Sequence, residues 1–305
     1  MESLKQKCTI LMLAYNGIND ALDAASSLQS QWDYIDKFIV GDNGSNEANK
    51  KLLKENSENL NITALDQPDN LGFAGGFNRL FNEGLQRSDA EYFLILNNDT
   101  EATPQFLEKL LEVAEPNKII SPMIVWHKDK ETVIQCAGEF DRVMMKLNNR
   151  FAGMHKDDVP SGCHEVEQTD GCCFLIHRSW LEKGYKFDDK LFIYFEDVDL
   201  FFRLKEQGVK FNYQTESLLY HKEYGASGGR ETFSPFRNYY FYRNRFYLAK
   251  KIHSGLTKYR TYWRLYSLAM ESYREQILEA PEAAKAIRVA IRDFFTGKMG
   301  KSYIP

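Results

Sequence analysis

The chain has 305 residues, 43% of them hydrophobic and 27% charged, which excludes a disordered or fibrous protein and leaves one large domain or a domain with an appendage. No stretch approaches the roughly 20 apolar residues of a membrane-spanning helix, and the apolar run after Met1–Lys7 is too short for a signal peptide. The net charge of −4 hides an asymmetry: residues 231–305 carry 14 Lys/Arg against 6 Asp/Glu, a balance of +8, and the preceding residues carry −12, so the tail suits an anionic partner, a membrane surface or a nucleic acid.

In chain order, Cys8–Ala14 reads as a buried strand ended by Tyr15-Asn16-Gly17. A helix over Ala21–Ser30 and a short strand at Phe38–Val40 follow, then Gly41-Asp42-Asn43-Gly44-Ser45. Asn49–Glu58 is a helix and Ile62–Leu65 a third strand. Asn70 to Gly76 is a glycine-rich turn opening a helix to about Leu85. It is not a dinucleotide fingerprint, which follows the first strand directly. Gly72 and Gly75 either let backbone N–H groups approach a diphosphate or serve a plain tight turn. Strands alternating with helices indicate βαβ units and a parallel sheet.

Tyr92–Leu96 is the next strand and runs into Asn97-Asn98-Asp99. Ligands of open α/β sheets bind beyond the carboxyl ends of strands, so Asp99 is placed to hold a divalent metal on phosphates. The competing reading is a cap for a helix over Pro104–Val113. Ile119–Trp126 is a strand, residues 127–168 are irregular with pieces such as Thr132–Cys136, and Cys172–His177 is a strand. Five cysteines, an odd number without zinc spacing, point to buried thiols in a reducing cytoplasm.

Phe187–Asp197 brings aromatics and acids together, and Val198–Gln207 is a helix stopped by Gly208. Glu196, Asp197 and Asp199 crowd its N-terminus, where the dipole favours carboxylates; Asp197 or Asp199 could be the cap. Val209–Tyr213 and Leu218–His221 read as two strands, the second delivering His221 as a second metal ligand if it faces Asp99. Gly225, Gly228 and Gly229 would let the following loop close over a ligand, with Arg230 for its phosphate. Helices are expected through Ile252, over Tyr262–Leu278 and over Ala283–Phe295. The segment FSPFRNYYFYRNRFY would pack on the rest of the chain, lie on a membrane surface or, least in favour, stack nucleic-acid bases.

Four pieces, in this order and spacing, resemble the family-2 glycosyltransferases of the GT-A fold: TILMLAYNG with VGDNGSNE, DNLGFAGGFNRLF, LILNNDT, and DGCCFLIHRSW with FDDKLFIYFEDVDLFFRLKEQG and LLYH. The resemblance covers residues 8 to about 247 and is greatest to bacterial rhamnosyltransferase-like enzymes of cell-wall, capsule or O-antigen assembly, though galactofuranosyltransferases share the pattern. It implies an α/β, Rossmann-like, mostly parallel central sheet flanked by helices, with a helical C-terminal extension. Residues 1–230 would be catalytic, 1–100 holding the nucleotide-sugar and 101–230 the acceptor, and 231–305 the extension.

By the same resemblance Ala14, Tyr15, Asn16, Asp42, Asn43, Asn70, Gly72, Gly75, Asn98 and Arg230 would bind the nucleotide-sugar, with Asp42 on a pyrimidine base. Asp99 and His221 would hold Mg²⁺ or Mn²⁺, with Asn97 standing where the family's first acid usually is. Asp170 and Gly171 would border sugar and acceptor, Asp197 would be the base of an inverting transfer, and Glu196 would orient the acceptor. Partners would be a dTDP- or UDP-sugar, a saccharide or polyprenyl-linked glycan and an anionic membrane surface, with no nucleic acid, in a cytoplasmic protein at the inner face of the plasma membrane; whether it pairs as a homodimer stays open. The rivals are a non-catalytic sugar-nucleotide-binding protein, and a nucleotidyltransferase, which the absence of Lys or Arg near Tyr15-Asn16-Gly17 disfavours.

Overall fold

Strand β1 (Cys8–Ala14) runs through the middle of the sheet in the computed structural model, which describes residues 6–222 and 233–303. Its continuous apolar run is buried on both faces, as a central strand flanked by helices requires. After it come α1 (Ile18–Ser27), β2 (Ile35–Asp42), α2 (Glu47–Ser57), β3 (Thr63–Asp66), α3 (Gly72–Arg87) and β4 (Tyr92–Asn97). Strand β1 pairs in parallel with β2 and β4, and β2 with β3. Period-two alternation on β4 supplies both layers: Tyr92, Leu94 and Leu96 pack on one side, Phe93 and Ile95 on the other.

The chain continues through β5 (Thr100–Ala102), α4 (Phe106–Glu112), β6 (Lys118–Trp126), β7 (Val133–Gln135), a hairpin of β8 (Gly138–Asp141) and β9 (Lys146–Asn149), β10 (Cys163–Val166), β11 (Cys173–His177), α5 (Arg178–Glu182), α6 (Glu196–Lys205) and β12 (Lys210–His221). The sheet order is β10-β12-β6-β11-β4-β1-β2-β3. The α/β expectation holds, in a mixed form: β11 is antiparallel to both β4 and β6, while β12 is parallel to β6.

Two expectations shift. The two strands expected over 209–221 are one strand, β12, whose register against β6 jumps between Gln214 and Leu218. The polar run Gln214-Thr215-Glu216-Ser217 reads as a turn but forms a bulge, with Ser217 Oγ donating to Phe106 O at 2.8 Å. Residues 127–168, expected to be irregular, contain β7 to β10.

Three helices close the chain: α7 (Pro235–Ile252), α8 (Gly255–Gln276) and α9 (Pro281–Phe295). Ser234 caps α7 by accepting from the Arg237 N–H, and Pro235 opens its first turn. Tyr239, Tyr240 and Phe246 are buried, so α7 uses its aromatics for packing, against α9 among others. Among the described residues no helix is long and apolar enough to cross a membrane.

Candidate active site

The carboxyl ends of β1, β2 and β3 form one cluster. Asp42 ends β2, buried, with Oδ1 accepting the Ser45 N–H at 3.1 Å. Its Oδ2 is buried with no hydrogen-bond partner, and burial lifts its carboxyl above the ordinary carboxylate range. Beside it Gln67, fully buried, donates its backbone N–H to Asp42 O at 3.0 Å while both atoms of its side-chain amide lack partners. Such groups are costly to leave unsatisfied. Gln67 was missed from the sequence; its one signal is that it follows β3 as Asp42 ends the neighbouring strand.

Ala14 O accepts the Asn43 N–H at 2.8 Å, and Asn16, left-handed at φ 54°, accepts the Asn46 N–H on Oδ1 at 3.0 Å. Tyr15 stands between them, 38% exposed. Asn43 Nδ2 donates to Asn70 Oδ1 and Gly72 O, at 3.2 and 3.1 Å. Gly72, at φ 73°, could not carry a side chain: a Cβ there would lie 2.4 Å from Phe192 O. Its N–H goes to Asn70 Oδ1, and the Ala74 N–H goes to Phe192 O. The glycine turn thus seats α3 against Phe192 and spends these two amides inside the protein. Gly75 lies in the first turn of α3, close to Leu71.

At the end of β4 the cap reading of Asp99 fails: Thr100 begins β5, and α4 starts after Gln105 with no side-chain cap. Pairing of β5 with β12 sets Thr100 opposite His221. This brings His221 Nε2 to 3.0 Å from Asp99 Oδ1, both residues buried. Asn98 Nδ2 donates to Gly17 O at 3.0 Å and ties this end to the β1 loop.

Among the described residues no group of three or more His, Cys, Asp or Glu could hold a metal alone. The Asp99–His221 pair nonetheless fits part of a shell, since neighbouring ligands of an octahedral ion at about 2.1 Å sit about 3 Å apart. A diphosphate and water would complete it. Arg230 and the loop glycines lie outside the described residues.

The acid pair opens α6 after an unusual approach. Phe192, Tyr194 and Phe195 are left-handed, at φ 66°, 70° and 73°, a conformation that costs about 1–3 kcal/mol per non-glycine residue. The neighbouring helix holds them there. Asn244 Nδ2 donates to the carbonyls of Leu191, Ile193 and Tyr194, and fully buried Arg243 donates to Leu191 O and Gly300 O. The Gly300 N–H closes the ring on Lys190 O at 2.8 Å. Both residues of α7 were missed as site residues, because their partners lie some fifty residues earlier.

Glu196 is buried with Oε2 unpartnered. Burial and the adjacent Asp197 charge drive its carboxyl far up. Asp197 is raised by burial too, but backbone N–H groups of Val198 and Gly171 oppose the shift, so Glu196 holds its proton the more tightly of the two. Gly171 must be glycine, since its Cβ would lie 2.8 Å from Asp197 Cβ. Neither expected cap holds: Asp199 pairs with Arg203 at 2.9 Å and with Lys251, joining α6 to α7, and the N-cap position is Phe195. Asp170 sits behind this wall, accepting from Tyr213 Oη at 2.8 Å and the Cys172 N–H at 3.1 Å, with burial raising its pKa to about 6. A cavity of about 540 Å³ opens in front of the pair, lined by Gly171, Glu196, Asp197 and Asn97, and by side chains of α7 and the β8–β9 hairpin.

A mixed α/β sheet with polar clusters at its strand ends and an acid pair facing a cavity is the frame of a sugar-transferring enzyme. The chain belongs to glycosyl transferase family 2, whose model matches residues 9–185, more than half of it. It is 21% identical over 259 residues to the low-salt glycan biosynthesis hexosyltransferase Agl10 of Haloferax volcanii, covering 83% of this chain and 78% of the relative. It is 24% identical over 256 residues to an N-acetylglucosaminyl-diphospho-decaprenol L-rhamnosyltransferase of Mycobacterium tuberculosis, covering 77% and 81%. The structure of GalNAc-T7 with UDP, GalNAc and Mn²⁺ superposes with a TM-score of 0.58 at 15% identity, over 72% of this chain. This chain spans 44% of that one, and the likeness is one of fold.

Proposed function

We propose that this glycosyltransferase moves a hexose, rhamnose in first place, from a dTDP- or UDP-linked donor to a hydroxyl of a saccharide or polyprenyl-linked saccharide, with inversion, in cell-surface polysaccharide synthesis. The observation that carries the reading is the Glu196–Asp197 pair: a buried and a half-buried acid of unequal proton affinity, both lining a sugar-sized cavity. A protein that only bound sugar-nucleotides would have no use for Asp197. The rhamnosyl preference rests on the Mycobacterium relative; a galactofuranosyl or other hexosyl donor is the runner-up.

Asp42 Oδ2 would accept the N3–H of a uracil or thymine ring, and Gln67 would satisfy another atom on its edge. Tyr15 and Asn16 would border the nucleoside, and the Asn43–Asn70–Gly72 brace would shape this side of the site. Asp99 and His221 would hold Mg²⁺ or Mn²⁺; when bound, the ion neutralises charge on the departing diphosphate. Asp197 takes the proton of the attacking hydroxyl as general base, a contribution of about 10²–10⁴-fold. Glu196 beside it orients the acceptor, and Gly171 gives Asp197 room to turn toward it.

The exposed face of α8 supports work at the inner face of a membrane. Leu256, Tyr259, Trp263 and Tyr266 recur at helical spacing, opposite buried Leu265 and Ala269, with exposed Arg260, Arg264 and Arg274 alongside. Aromatic side chains at headgroup level with cations on anionic lipid suit this face.

The test is a thermal-shift and turnover panel of dTDP-rhamnose, UDP-galactofuranose, UDP-glucose and UDP-GlcNAc, with and without Mn²⁺, on wild type, Asp99→Ala and Asp197→Asn. Metal-dependent stabilisation by one donor, lost in Asp99→Ala, with binding kept and turnover lost in Asp197→Asn, is expected. Binding of no donor would overturn the reading.

A further inference from the structure

The cavity in front of Asp197 has a second wall that donor chemistry does not use. None of Tyr15, Asp42, Asn43, Asp99 or His221 lines it. Instead α7 presents Arg237, Phe241 and Arg245, four residues apart and so on one face, and the β8–β9 hairpin presents Lys146.

Arg245 is the anomaly. It is 7% exposed, yet no carboxylate lies within ion-pair distance of it among the described residues. Its Nη2 donates to Met144 O, its guanidinium lies 5.1 Å from the Phe241 ring, and its Nε has no hydrogen-bond partner. A guanidinium stays charged at neutral pH, and Asp141 acts on this one only from beyond ion-pair distance, so the free protein holds a buried cation with no direct ion pair among the described residues. Arg237 and Lys146 are exposed on the same wall, and neither side chain has an ion-pair partner among the described residues. Glu196 and Asp197 lie on the α6 side, outside ion-pair distance of all three cations. The cavity is therefore polar in one sense: acids at the transfer point, bases on the wall of α7 and the hairpin.

We propose that Arg245, with Arg237 and Lys146, binds a phosphate or diphosphate group carried by the acceptor, so that the enzyme selects acceptors anionic on the side away from the attacking hydroxyl. Three cations lining one wall suit more than a single carboxylate charge, and guanidinium forks match phosphate oxygens. This deepens the acceptor side of the proposed function and rests on it.

The test uses the whole enzyme saturated with UDP, so that the donor side is filled, and titrates inorganic pyrophosphate, geranyl diphosphate, geraniol and glucuronate by calorimetry. Wild type is expected to bind both diphosphates and neither geraniol nor glucuronate. Arg245→Met and Arg237→Met should each weaken that binding by about tenfold or more, as loss of a charge-assisted hydrogen bond does. Arg245→Lys, which keeps the charge and loses the fork, should restore only part of it, and UDP affinity should be unchanged throughout. Because Arg237 is exposed and its side chain is bonded to nothing among the described residues, Arg237→Met decides the matter if Arg245→Met does not fold. UDP binding with pyrophosphate affinity indifferent to both arginines, or glucuronate bound as tightly as pyrophosphate, would overturn the inference. Failure of wild type to bind UDP would instead overturn the donor reading beneath it.

Discussion

Asn244 Nδ2 donates to the Ile193 carbonyl at 2.8 Å, three residues before Glu196 and across half a hundred residues of chain. With its bonds to Leu191 and Tyr194, one amide group holds a backbone that three left-handed residues would otherwise release. Asn244→Ala leaves those carbonyls to find other partners. We expect kcat to fall by about 10²-fold, the cost of misplacing a catalytic group by an ångström, with donor affinity unchanged. Steady-state kinetics with UDP titration check it; loss of donor affinity along with kcat would mean general unfolding instead.

Gly171→Ala tests the same acid from its other side. The added methyl would lie about 3 Å from the Asp197 carboxylate and force it to move. Turnover should drop by about 10²-fold, while thermal stabilisation by UDP and metal should match wild type. Unchanged turnover would remove Asp197 from the reaction.

Asp170 gives the protein a signature in its acid stability. Its folded pKa, about 6, lies above the ordinary 3.8, so the folded state holds the proton more tightly. That contribution is fully present below pH 3.8, declines as pH rises, and is lost above about pH 6. The span corresponds to about 3 kcal/mol at 1.36 kcal/mol per unit. Asp170→Asn keeps the Tyr213 neighbour and removes the titration. Urea unfolding at several pH values should show wild type losing stability relative to Asp170→Asn between pH 4 and 6.5; parallel profiles would refute the assignment.

For the α8 face, liposome sedimentation is the direct measurement. Wild type should favour vesicles containing anionic lipid over neutral ones. Trp263→Ala with Tyr259→Ala should weaken the association, and Arg260→Gln with Arg264→Gln should weaken it by about 1 kcal/mol per charge at low salt. Equal sedimentation with neutral and anionic vesicles would end the membrane reading.

How much of this the sequence discloses depends on the reach of each interaction. Strands β1 and β4 were legible because a buried strand writes itself as an apolar run, and the Asp99–His221 meeting followed once both residues were placed at strand ends. The bulge in β12 was not, because Gln214 to Ser217 look like a turn until Phe106 is seen to accept from Ser217. The aromatic–basic segment of α7 suits packing or a membrane alike from sequence, and packing holds, since Tyr239 and Tyr240 are buried, whereas the outward Trp263 lies on α8. Gln67 is marked only by its place after β3, and Asn244 and Arg245 only by belonging to an aromatic–basic segment; what singles them out is a partner far along the chain, or an atom with no partner.

The ring of bonds through Arg243, Asn244 and Gly300 also orders events in time. A chain made from its N-terminus first exposes residues 14 to 72, where the Asp42 cluster is complete. The acids at 196 and 197 emerge next, on a backbone that nothing yet restrains. Only when α7 and the segment around Gly300 have folded back does that backbone settle. A half-made chain can thus assemble the Asp42 cluster before the backbone ahead of residues 196 and 197 is braced, since that brace needs α7 and the segment around Gly300.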